Sequence, residues 1–423
     1  MATKTGESLS LPAQWRTLNA AQRNVVVACF LGWMLDAFDF FLLVFVVHDI
    51  AKEFGTDVKR VTFALLLTLA MRPLGALLFG VLADRYGRRP VLMVDVLLYS
   101  VIAFSAAFSP SLGMLIALRA LYGVAMGGEW GVGASLTMES IPPQSRGAVS
   151  GLLQEGYAAG YLLAALAFGL LHQSIGWRGM FMLGAVPALL ILFIRAKVPE
   201  SPAWREGTLD GRKPERIWSA IAGNWRRFLF AIVLMTAFNF LSHGTQDLYP
   251  TFLRVQRELS DHAVGLIAVI YNIGALAGGI LFGALSQRIG RRRAITIAAL
   301  LVIPMVPLWA FSTTPVLLGL GAFLIQFMVQ GAWGVVPAHL NEISPPGVRG
   351  TFPGFTYQLG NLLAAGNATI QAAIAENYGG NYAIAMAATA VVVAVIVATC
   401  AAFGPEARDV SFTAQGRAGA PAP

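Results

Sequence analysis

A stripe of polar side chains interrupts an apolar stretch near residues 228–250. Asn239, His243, Asp247 and Thr251 follow one another at intervals of four residues, and this spacing places side chains on one face of a helix. Histidine changes its charge near neutral pH, and a carboxylate one turn away tunes that change, so His243 and Asp247 could relay a proton. The stripe therefore predicts a proton relay, with a structural hydrogen-bond network as the alternative.

Two carboxylates, Asp36 and Asp39, lie three residues apart in the first apolar stretch, so they share a helical face. Burial makes the charged form of a carboxyl costly, so a buried carboxyl can bind and release a proton at a higher pH than an exposed one. We interpret both residues, together with His243, Asp247 and Glu129, as candidates for proton coupling. The alternative for Asp36 and Asp39 is a structural pair that caps a water pocket.

Arg72 stands near the centre of the second apolar stretch, about 16 Å from either end of a helix of that length. Its side chain cannot extend to water at either surface, so it should face a polar interior. A guanidinium binds a carboxylate through two parallel hydrogen bonds. Arg72 therefore predicts an organic anion as the ligand. A buried salt bridge to Asp36 or Asp39 is the alternative, and Arg72 could exchange one partner for the other.

Four further charged residues lie in or beside apolar stretches. Arg119 and Glu129 share a stretch with several glycines, which permit close helix packing, and we interpret them as a conformational network more than as ligands. Glu155 is open to either interpretation. Asp95 is expected to support the loop at residues 80–89.

The elements that must position these residues come in two copies, because the chain repeats itself at a fixed offset of 203 residues. Two segments and several single residues return at this offset: 80–89 at 283–292, 139–147 at 342–350, Asp36 at Asn239, Gly128 at Gly331 and Trp130 at Trp333. In an apolar chain such a period predicts two similar membrane halves with a binding site between them.

Composition and span length support a membrane protein. Apolar residues make up 57% of the chain and charged residues 12%, against roughly 25% charged in soluble domains. Apolar stretches of about 20 residues can cross a bilayer. Twelve of them lie near residues 24–47, 60–83, 91–109, 113–137, 147–171, 178–197, 228–250, 263–286, 294–312, 315–337, 350–373 and 381–403. The predicted fold class is an all-α membrane protein with twelve transmembrane helices in two pseudo-symmetric six-helix halves.

Twelve crossings place both termini on one side, and the basic residues indicate that this side is cytoplasmic. Of the 30 Lys and Arg residues, 22 lie on that side, six lie on the other, and Arg72 and Arg119 lie inside spans. This asymmetry follows the positive-inside rule and accounts for the net charge of +8 without a nucleic-acid partner. The predicted parts are a cytoplasmic N-terminus (1–23), a first half (24–197), a cytoplasmic linker (198–226), a second half (227–403) and a disordered cytoplasmic tail (404–423).

The loop at residues 80–89 resembles the GxxxDRxGRR signature of the major facilitator superfamily. The resemblance extends over nearly the whole chain and implies that fold. Asp84 could pair across to another helix and latch one conformation, whereas the second copy carries Gln287 at this position, which leaves its latch in doubt. The residues expected to control the conformation are Asp84, Arg85, Arg88, Arg89, Arg119, Arg288, Arg291 and Arg292.

Three further motifs resemble the sialate and monocarboxylate proton symporters of this superfamily. The Asp36–Asp39 pair is similar to the first helix of the aromatic-acid and sialate groups, and the span 7 stripe is similar to the signature of the fungal Jen lactate permeases. Tyr357 and Gln358 also look like that permease family. The resemblance implies that Arg72, Asn239, His243, Tyr357 and Gln358 bind the substrate.

Together these features predict a secondary transporter, not an enzyme. The chain lacks a Gly-x-x-x-x-Gly-Lys-Ser/Thr phosphate loop, so it should use a proton gradient and no other cofactor. Only Cys29 and Cys400 occur, so neither a disulfide framework nor a metal site is expected. Two other classes of protein are disfavoured. The intact loop at 80–89 argues against a non-transporting receptor. A span 5 without proline and a polar span 7 argue against a drug antiporter.

The predicted function is proton-coupled symport of a small monocarboxylate such as lactate or pyruvate. Symport of another organic acid, namely sialic acid, an aromatic acid or a dicarboxylate, is the close alternative. Enteric sialic-acid permeases carry two extra central helices, and residues 198–226 are too short for them. The expected partners are the anion, the proton and the lipid bilayer, and the expected location is the plasma membrane, such as the bacterial inner membrane, as a monomer.

Overall fold

The computed structural model describes residues 11–210 and 216–413, and every regular element in these residues is helical. The first half contains α1 (Leu11–Thr17), α2 (Ala20–Glu53), α3 (Val58–Tyr86), α4 (Arg88–Ala106), α5 (Leu112–Ser140), α6 (Arg146–Gln154), α7 (Gly156–Met182) and α8 (Ala188–Lys197). The linker contains α9 (Pro202–Leu209) and α10 (Ile217–Gly223). The second half contains α11 (Trp225–Gln246), α12 (Tyr249–Val255), α13 (Asp261–Ile289), α14 (Arg291–Phe311), α15 (Pro315–Trp333), α16 (Val336–Ile343), α17 (Phe352–Ala364), α18 (Asn367–Asn377) and α19 (Tyr382–Phe403).

These helices form the predicted twelve spans. Within the described residues, ten helical segments are long and apolar enough to cross a membrane. One of them, Pro143–Lys197, leaves the helical conformation at Gly176 and so accounts for two crossings. The remaining crossing, the eleventh in chain order, is divided into α17 and α18. Large apolar side chains such as Leu74, Leu192 and Val392 lie exposed on the helices, as expected for lipid contact.

Glycines set the packing inside each half at equivalent positions. Gly75 on α3 lies against the backbone of Val124 on α5, and Gly278 on α13 lies against the backbone of Phe327 on α15. A side chain at either glycine would collide with the facing carbonyl group. Because both contacts recur at the offset of 203 residues, the two halves share one way of bringing helix backbones together.

The loops that join α3 to α4 and α13 to α14 lie on one side of the molecule, which is called the loop side below. Each loop is a single residue between two helices, Gly87 with φ of 104° and Gly290 with φ of 98°. Residues with a side chain rarely adopt such positive φ angles. The repeated glycine of the two loop motifs is therefore required by the sharp reversal of the chain.

Two parts of the predicted organisation differ from the structure. Span 7 breaks after α11, so Thr251 belongs to α12 and does not continue the face of Asn239, His243 and Asp247. Pro250 fits this break, because proline is favoured in the first turn of a new helix and not within one.

The second difference concerns residues 404–413, which belong to the segment predicted to be disordered. They pack instead across the loop side, where Phe412 is only 5% exposed. Their sequence contains Val410, Phe412 and several charged residues, which supply the apolar and ionic contacts that a disordered segment lacks. Residues 1–10, 211–215 and 414–423, which belong to the predicted N-terminus, linker and tail, lie outside the described residues.

Candidate functional site

A cavity of about 350 Å³ lies between the two halves. Its wall combines aromatic rings, amide side chains and four residues that can carry charge. The lining residues are Phe40, Phe41, Leu69, Arg72, Gln154, Glu155, Tyr157, Ala158, Tyr161, Asn239, Ser242, His243, Gln246, Asp247, Tyr271, Asn272, Ala275, Gln326, Gln330, Trp333, Tyr357 and Asn361. The size and the mixed lining suit a small organic ligand with a charged group.

Arg72 lines this cavity and carries buried hydrogen-bond donors that lack a partner among the described residues. Its side chain is 2% exposed, and its Nε and Nη2 atoms have no hydrogen-bond partner among the described residues. These two nitrogens form one edge of the guanidinium, which can hold both oxygens of a carboxylate. Within the described residues no ion pair joins Arg72 to Asp36 or Asp39. The guanidinium carbon lies 5.9 Å from the Trp33 ring centre and 6.0 Å from that of Tyr357.

The α11 face brings three of the four predicted stripe residues to the cavity. His243 Nδ1 lies 3.2 Å from a carboxylate oxygen of Asp247, and His243 Nε2 lies 3.1 Å from Asn361 Oδ1. Both ring nitrogens therefore face acceptors, an arrangement that only the doubly protonated imidazole satisfies with two donors. Asn239 also lines the cavity, and its Nδ2 donates to the Met235 carbonyl at 2.7 Å.

Amide side chains form a connected group beside His243. Gln246 Nε2 donates to Gln326 Oε1 at 3.0 Å and to Ser242 Oγ at 3.2 Å. Gln326 Nε2 in turn donates to Thr245 Oγ1 at 3.1 Å. Sequence reasoning missed this group, because Gln326 comes from α15 and only the folded chain brings it next to α11. Such amides can exchange their mutual hydrogen bonds for bonds to polar groups of a ligand.

Aromatic side chains cover the wall around Arg72. The Tyr357 ring packs between Trp130 and Trp333, with ring centres 4.7 Å and 5.4 Å apart. On the other side Trp33 packs on Tyr157, with ring centres 5.3 Å apart. Trp130 and Trp333 are repeat equivalents, so the sequence repeat contained a signal for this aromatic wall.

Gln358, the remaining predicted substrate-binding residue, does not line the cavity. It is 1% exposed, and both of its amide atoms lack a hydrogen-bond partner among the described residues. Arg72, Asn239, His243 and Tyr357 do line the cavity. The fold therefore brings four of the five predicted substrate-binding residues to one place and leaves Gln358 behind its wall.

The predicted proton-coupling residues fall into two groups. His243 and Asp247 line the cavity, whereas Asp36, Asp39 and Glu129 are buried inside the first half. The Tyr122 hydroxyl donates to Asp36, at 3.2 Å to Oδ1 and 2.8 Å to the backbone carbonyl. Other acidic oxygens of this group have no partner among the described residues: Asp36 Oδ2, both of Asp39 and both of Glu129. A carboxylate charge without a partner is costly in such surroundings.

Arg119 and Asp95 belong to the same interior. The Arg119 guanidinium carbon lies 4.4 Å from the Tyr122 ring centre and 5.0 Å from that of Phe181, and its charge acts on Asp39. Asp95 is fully buried, and neither carboxyl oxygen has a partner among the described residues. The expected support of the loop at 80–89 by Asp95 is not observed, because no hydrogen bond or ion pair among the described residues joins Asp95 to that loop.

The loop of the first half is held by its own Asp84 and by acidic residues from two other segments, Glu139 and Glu200. Arg88 Nη2 lies 3.1 Å from Asp84 and 3.1 Å from Glu139. Glu200 accepts the backbone N–H groups of Arg88 and Arg89 at 3.0 Å and 3.1 Å. Partial burial raises the pKa of Glu200, and these backbone donors work against that rise. Arg89 also donates to the Arg195 carbonyl at 2.6 Å, and the Arg85 guanidinium carbon lies 5.3 Å from the Tyr86 ring centre.

The second half repeats the arrangement. Arg291 binds both oxygens of Glu342 at 2.9 Å and 3.0 Å, whereas the equivalent Arg88 binds one oxygen of Glu139 at 3.1 Å. Glu406 accepts the backbone N–H of Arg292 at 3.0 Å, and the Arg292 guanidinium donates to the carbonyls of Ala401 and Ala402. The Arg288 carbonyl accepts a hydrogen bond from Arg408 at 2.7 Å.

The two loops also join the halves to each other. Asp84 accepts the backbone N–H of Gly350 at 2.7 Å, and from Thr351 it accepts the N–H at 3.0 Å and the hydroxyl at 2.7 Å. The repeat-equivalent contact is made by Gln287, whose Oε1 accepts the N–H of Gly147 at 3.2 Å. An amide oxygen thus makes the contact that the sequence left in doubt.

The loop side is closed and the cavity is reached from the opposite side. Arg146 and Glu342 add an ion pair of 3.7 Å between the halves. The side chains of His243 and Asp247 nevertheless remain 34% and 37% exposed in the cavity. Because the halves touch on the loop side, this exposure must arise from the other side. The described structure is therefore closed on the loop side and open to the cavity from the opposite side.

Comparisons with known proteins agree with this architecture. The family model described as Major Facilitator Superfamily matches residues 29–259, and the one described as Sugar (and other) transporter matches residues 217–410. The solved proton:xylose symporter XylE, bound to 6-bromo-6-deoxy-D-glucose, superposes with a TM-score of 0.73 at 18% identity, covering 92% of this chain and 97% of XylE.

Two curated relatives are similar over most of the chain. The carboxylic acid transporter protein homolog of Saccharomyces cerevisiae is 30% identical over 377 residues, which cover 82% of this chain but only 61% of the yeast protein. The sialic acid transporter NanX of Escherichia coli is 29% identical over 353 residues, covering 82% of this chain and 86% of NanX. With a family match over more than half of its length, the chain belongs to the major facilitator superfamily and is a multi-pass membrane transporter, not an enzyme.

Proposed function

We propose that the protein is a proton-coupled symporter of a small monocarboxylate, with acids of the size of lactate or pyruvate as the leading substrates. The proposal rests on one observation above all. Arg72 lines the cavity between the halves, and one complete edge of its guanidinium lacks a protein partner among the described residues. A planar carboxylate satisfies that edge with two charge-assisted hydrogen bonds.

Coupling to protons is supported by the acidic and imidazole groups around the cavity. His243 and Asp247 contact each other in the cavity wall, and Asp36, Asp39 and Glu129 lie buried without ion-pair partners among the described residues. Ionisable groups at such positions are costly, so they are retained where they serve transport. The sequence also lacks a phosphate-binding loop for ATP.

The closed loop side gives the order of events if that side is cytoplasmic, as the distribution of basic residues predicts. The state described is then outward-facing. The anion binds to Arg72, a proton binds to the acidic groups, and the halves rock so that the contacts of Asp84 and Gln287 open. In this proposal the carrier works as a monomer in the plasma membrane, with both termini in the cytoplasm.

An acid with a larger, hydroxylated body is a second candidate. The connected amides Gln246 and Gln326, together with Gln330 and Asn272, offer hydrogen-bonding partners that a three-carbon acid does not need. The similarity to a protein named as a sialic acid transporter points the same way. The aromatic rings around Arg72 could equally cover an aromatic acid.

Uptake by the purified protein in proteoliposomes tests the proposal. Labelled lactate, sialic acid and 4-hydroxybenzoate are supplied with and without an inwardly directed proton gradient. We expect one acid to accumulate above its external concentration only with the gradient, and a proton ionophore to abolish accumulation. Accumulation that persists with the ionophore and requires sodium would refute proton coupling, and the preferred acid decides between the candidates.

A further inference from the structure

Glu155 stands at an interruption of span 5 beside the cavity. It is the residue between α6 and α7, it is 3% exposed, and it lines the cavity. Its Oε1 atom has no hydrogen-bond partner among the described residues. Among the described residues, this carboxyl group makes no ion pair and no side-chain hydrogen bond.

The position of Glu155 is at the contact between the halves. Its carboxyl lies against Gly279 on α13, so closely that Gly279 has no room for a side chain. One turn earlier, Gly151 touches the backbone of Gly279 and Gly283. Since α6 runs from Arg146 on the loop side, Glu155 lies where the closed contact ends and the cavity begins. Opening the loop side must separate these surfaces and admit water to Glu155.

The repeat provides a comparison for this carboxyl. At an offset of 203 residues, Glu155 corresponds to Gln358, which is also buried and also lacks partners for its amide atoms among the described residues. An amide of the same shape therefore fits at the equivalent position of the other half. Packing alone does not require a carboxyl at Glu155.

The neighbouring elements supply no charge close enough to pair with Glu155 among the described residues. On α2 and α15 the cavity is lined by aromatic and amide side chains, and α16 meets α6 through a hydrogen bond of 3.0 Å from the Ala338 N–H to Ser150. The titratable side chains lining the same cavity are Arg72 on α3, Tyr157 and Tyr161 on α7, His243 on α11, Asp247 directly after α11, Tyr271 on α13 and Tyr357 on α17.

We propose that Glu155 is a proton-binding residue whose hydration changes with the state of the carrier, so that it releases its proton to the loop side. A proton from water in the cavity binds the carboxylate and gives a neutral carboxyl, which the dry contact with Gly279 tolerates. When the halves separate on the loop side, water reaches the carboxyl and accepts the proton. This inference rests on the proposed proton symport and adds the residue that makes proton release depend on the opening of the loop side.

Glu155→Gln tests the inference, because it keeps the shape found at Gln358 and removes the titratable group. Two activities of the variant are measured in proteoliposomes across pH 5 to 8: exchange of labelled for unlabelled acid, and accumulation driven by a proton gradient. We expect exchange within about two-fold of the unmodified protein, accumulation reduced at least ten-fold, and exchange that no longer varies with pH. Glu155→Asp should restore part of the accumulation, and Glu376→Gln, at an exposed carboxyl, should change neither activity.

Each contrary result has a distinct meaning. If Glu155→Gln accumulates the acid with an unchanged pH profile, Glu155 does not carry the proton. If Glu155→Gln and Glu155→Asp both lose exchange together with accumulation, the residue is structural or contacts the substrate, and the inference is wrong. If the unmodified protein itself fails to accumulate any acid with a proton gradient, the proposed function fails first, and this inference fails with it.

A second, independent observation concerns residues 405–413, which we call the strap. The strap leaves α19 and crosses the loop side. Arg408 donates to the Arg288 carbonyl at 2.7 Å, Asp409 accepts from Gln287 at 2.6 Å, and the Val410 carbonyl accepts from Arg146 at 2.6 Å. Gln287 and Arg288 belong to the second half and Arg146 to the first, so the strap bridges the halves.

Phe412 completes this bridge. Its ring centre lies 3.7 Å from the guanidinium carbon of Arg146 and 4.3 Å from that of Arg349. Arg146 and Arg349 are repeat equivalents, one in each half. The ring is therefore held between two matching arginines at the junction of the halves. It can touch both arginines only while the loop side is closed.

We infer that the strap stabilises the closed loop side and thereby slows the opening that delivers substrate to that side. When the halves separate, Phe412 must leave at least one of the two arginines, and a cation–π contact is strong when buried from water. The strap thus sets the balance between the two end states of the carrier.

Spin labels on the loop side test this role in the full-length protein. The labels are placed at Gln144→Cys and Arg293→Cys, two exposed positions in different halves, with Cys29→Ala and Cys400→Ala as background. Phe412→Ala should raise the ratio of the population with a long distance between the labels to the population with a short distance about five-fold or more. Phe412→Tyr should return this ratio to that of the parent protein, and Thr413→Ala should leave it unchanged. A distance distribution for Phe412→Ala that matches the parent protein would overturn the inference.

Discussion

Substitution of Arg72 by lysine should weaken substrate binding far more than conservation of charge suggests. The free edge of the guanidinium offers two donors, Nε and Nη2, whereas an ammonium at the end of a thinner side chain can place only one hydrogen on the same carboxylate. A hydrogen bond to a charged group contributes about 1.5–3 kcal/mol. Loss of one of the two bonds should therefore reduce affinity about 10- to 150-fold.

The assay is equilibrium binding of the preferred acid to purified protein, together with the initial rate of uptake in proteoliposomes. Arg60→Lys serves as the matched control, since Arg60 lies on the same helix with its side chain 74% exposed. We expect Arg72→Gln to abolish uptake, because it removes the charge as well. Unchanged affinity in Arg72→Lys, with normal expression, would refute the assignment of Arg72 to the substrate and indicate that it faces protein groups.

Three further outcomes follow from the structure. His243→Ala and Asp247→Asn should each remove most uptake. The double variant should lose little more, because contacting residues act as a unit. Uptake losses of the single variants that multiply in the double variant, with an unchanged pH profile of uptake between pH 5 and 8, would contradict this. Asp84→Asn removes the charge from three hydrogen bonds between the halves, so spin-label distances on the loop side should lengthen; identical distances would show that the latch is unimportant. Gly278→Ala should lower stability by about 1–3 kcal/mol, seen as a lower Tm, whereas Gly265→Ala on the same helix has open space and should melt like the parent.

Much of the fold could be predicted because the membrane restricts what a chain can do. A crossing requires about 20 apolar residues with every backbone group satisfied inside the helix, so span positions were visible in composition alone. The offset of 203 residues then related the two halves, including the turns at Gly87 and Gly290. Helix breaks were harder to predict, although Pro250 indicated the one that separates Thr251 from the stripe.

The candidate site was only partly predictable, since its composition depends on which helix faces meet. Arg72, His243 and Asp247 were recognisable because charged groups are rare inside spans. Gln326 and Asn361, which contact the residues of α11, are unremarkable in sequence, because amides occur in many helices and only the fold decides what they face. Residues 404–413 were misjudged because the Ala, Gly and Pro of the final residues dominated the composition of the whole tail.

The repeat itself separates the frame of the carrier from its chemistry. In the proposed rocking motion, the parts that both halves use are residues that recur at the offset of 203, among them the loop glycines and the matching pair Arg146 and Arg349. The proposed chemistry occupies positions where the copies differ. Arg72 corresponds to Ala275, His243 to Phe40, Asp247 to Val44, Glu155 to Gln358 and Glu129 to Ala332. Two equal halves can open equally well to either side, but a single anion needs a single arginine. A proton site at only one of two equivalent contacts gives the two sides of the carrier different chemistry. The departures from the repeat are therefore the positions at which substitution should change specificity and coupling while the fold is preserved.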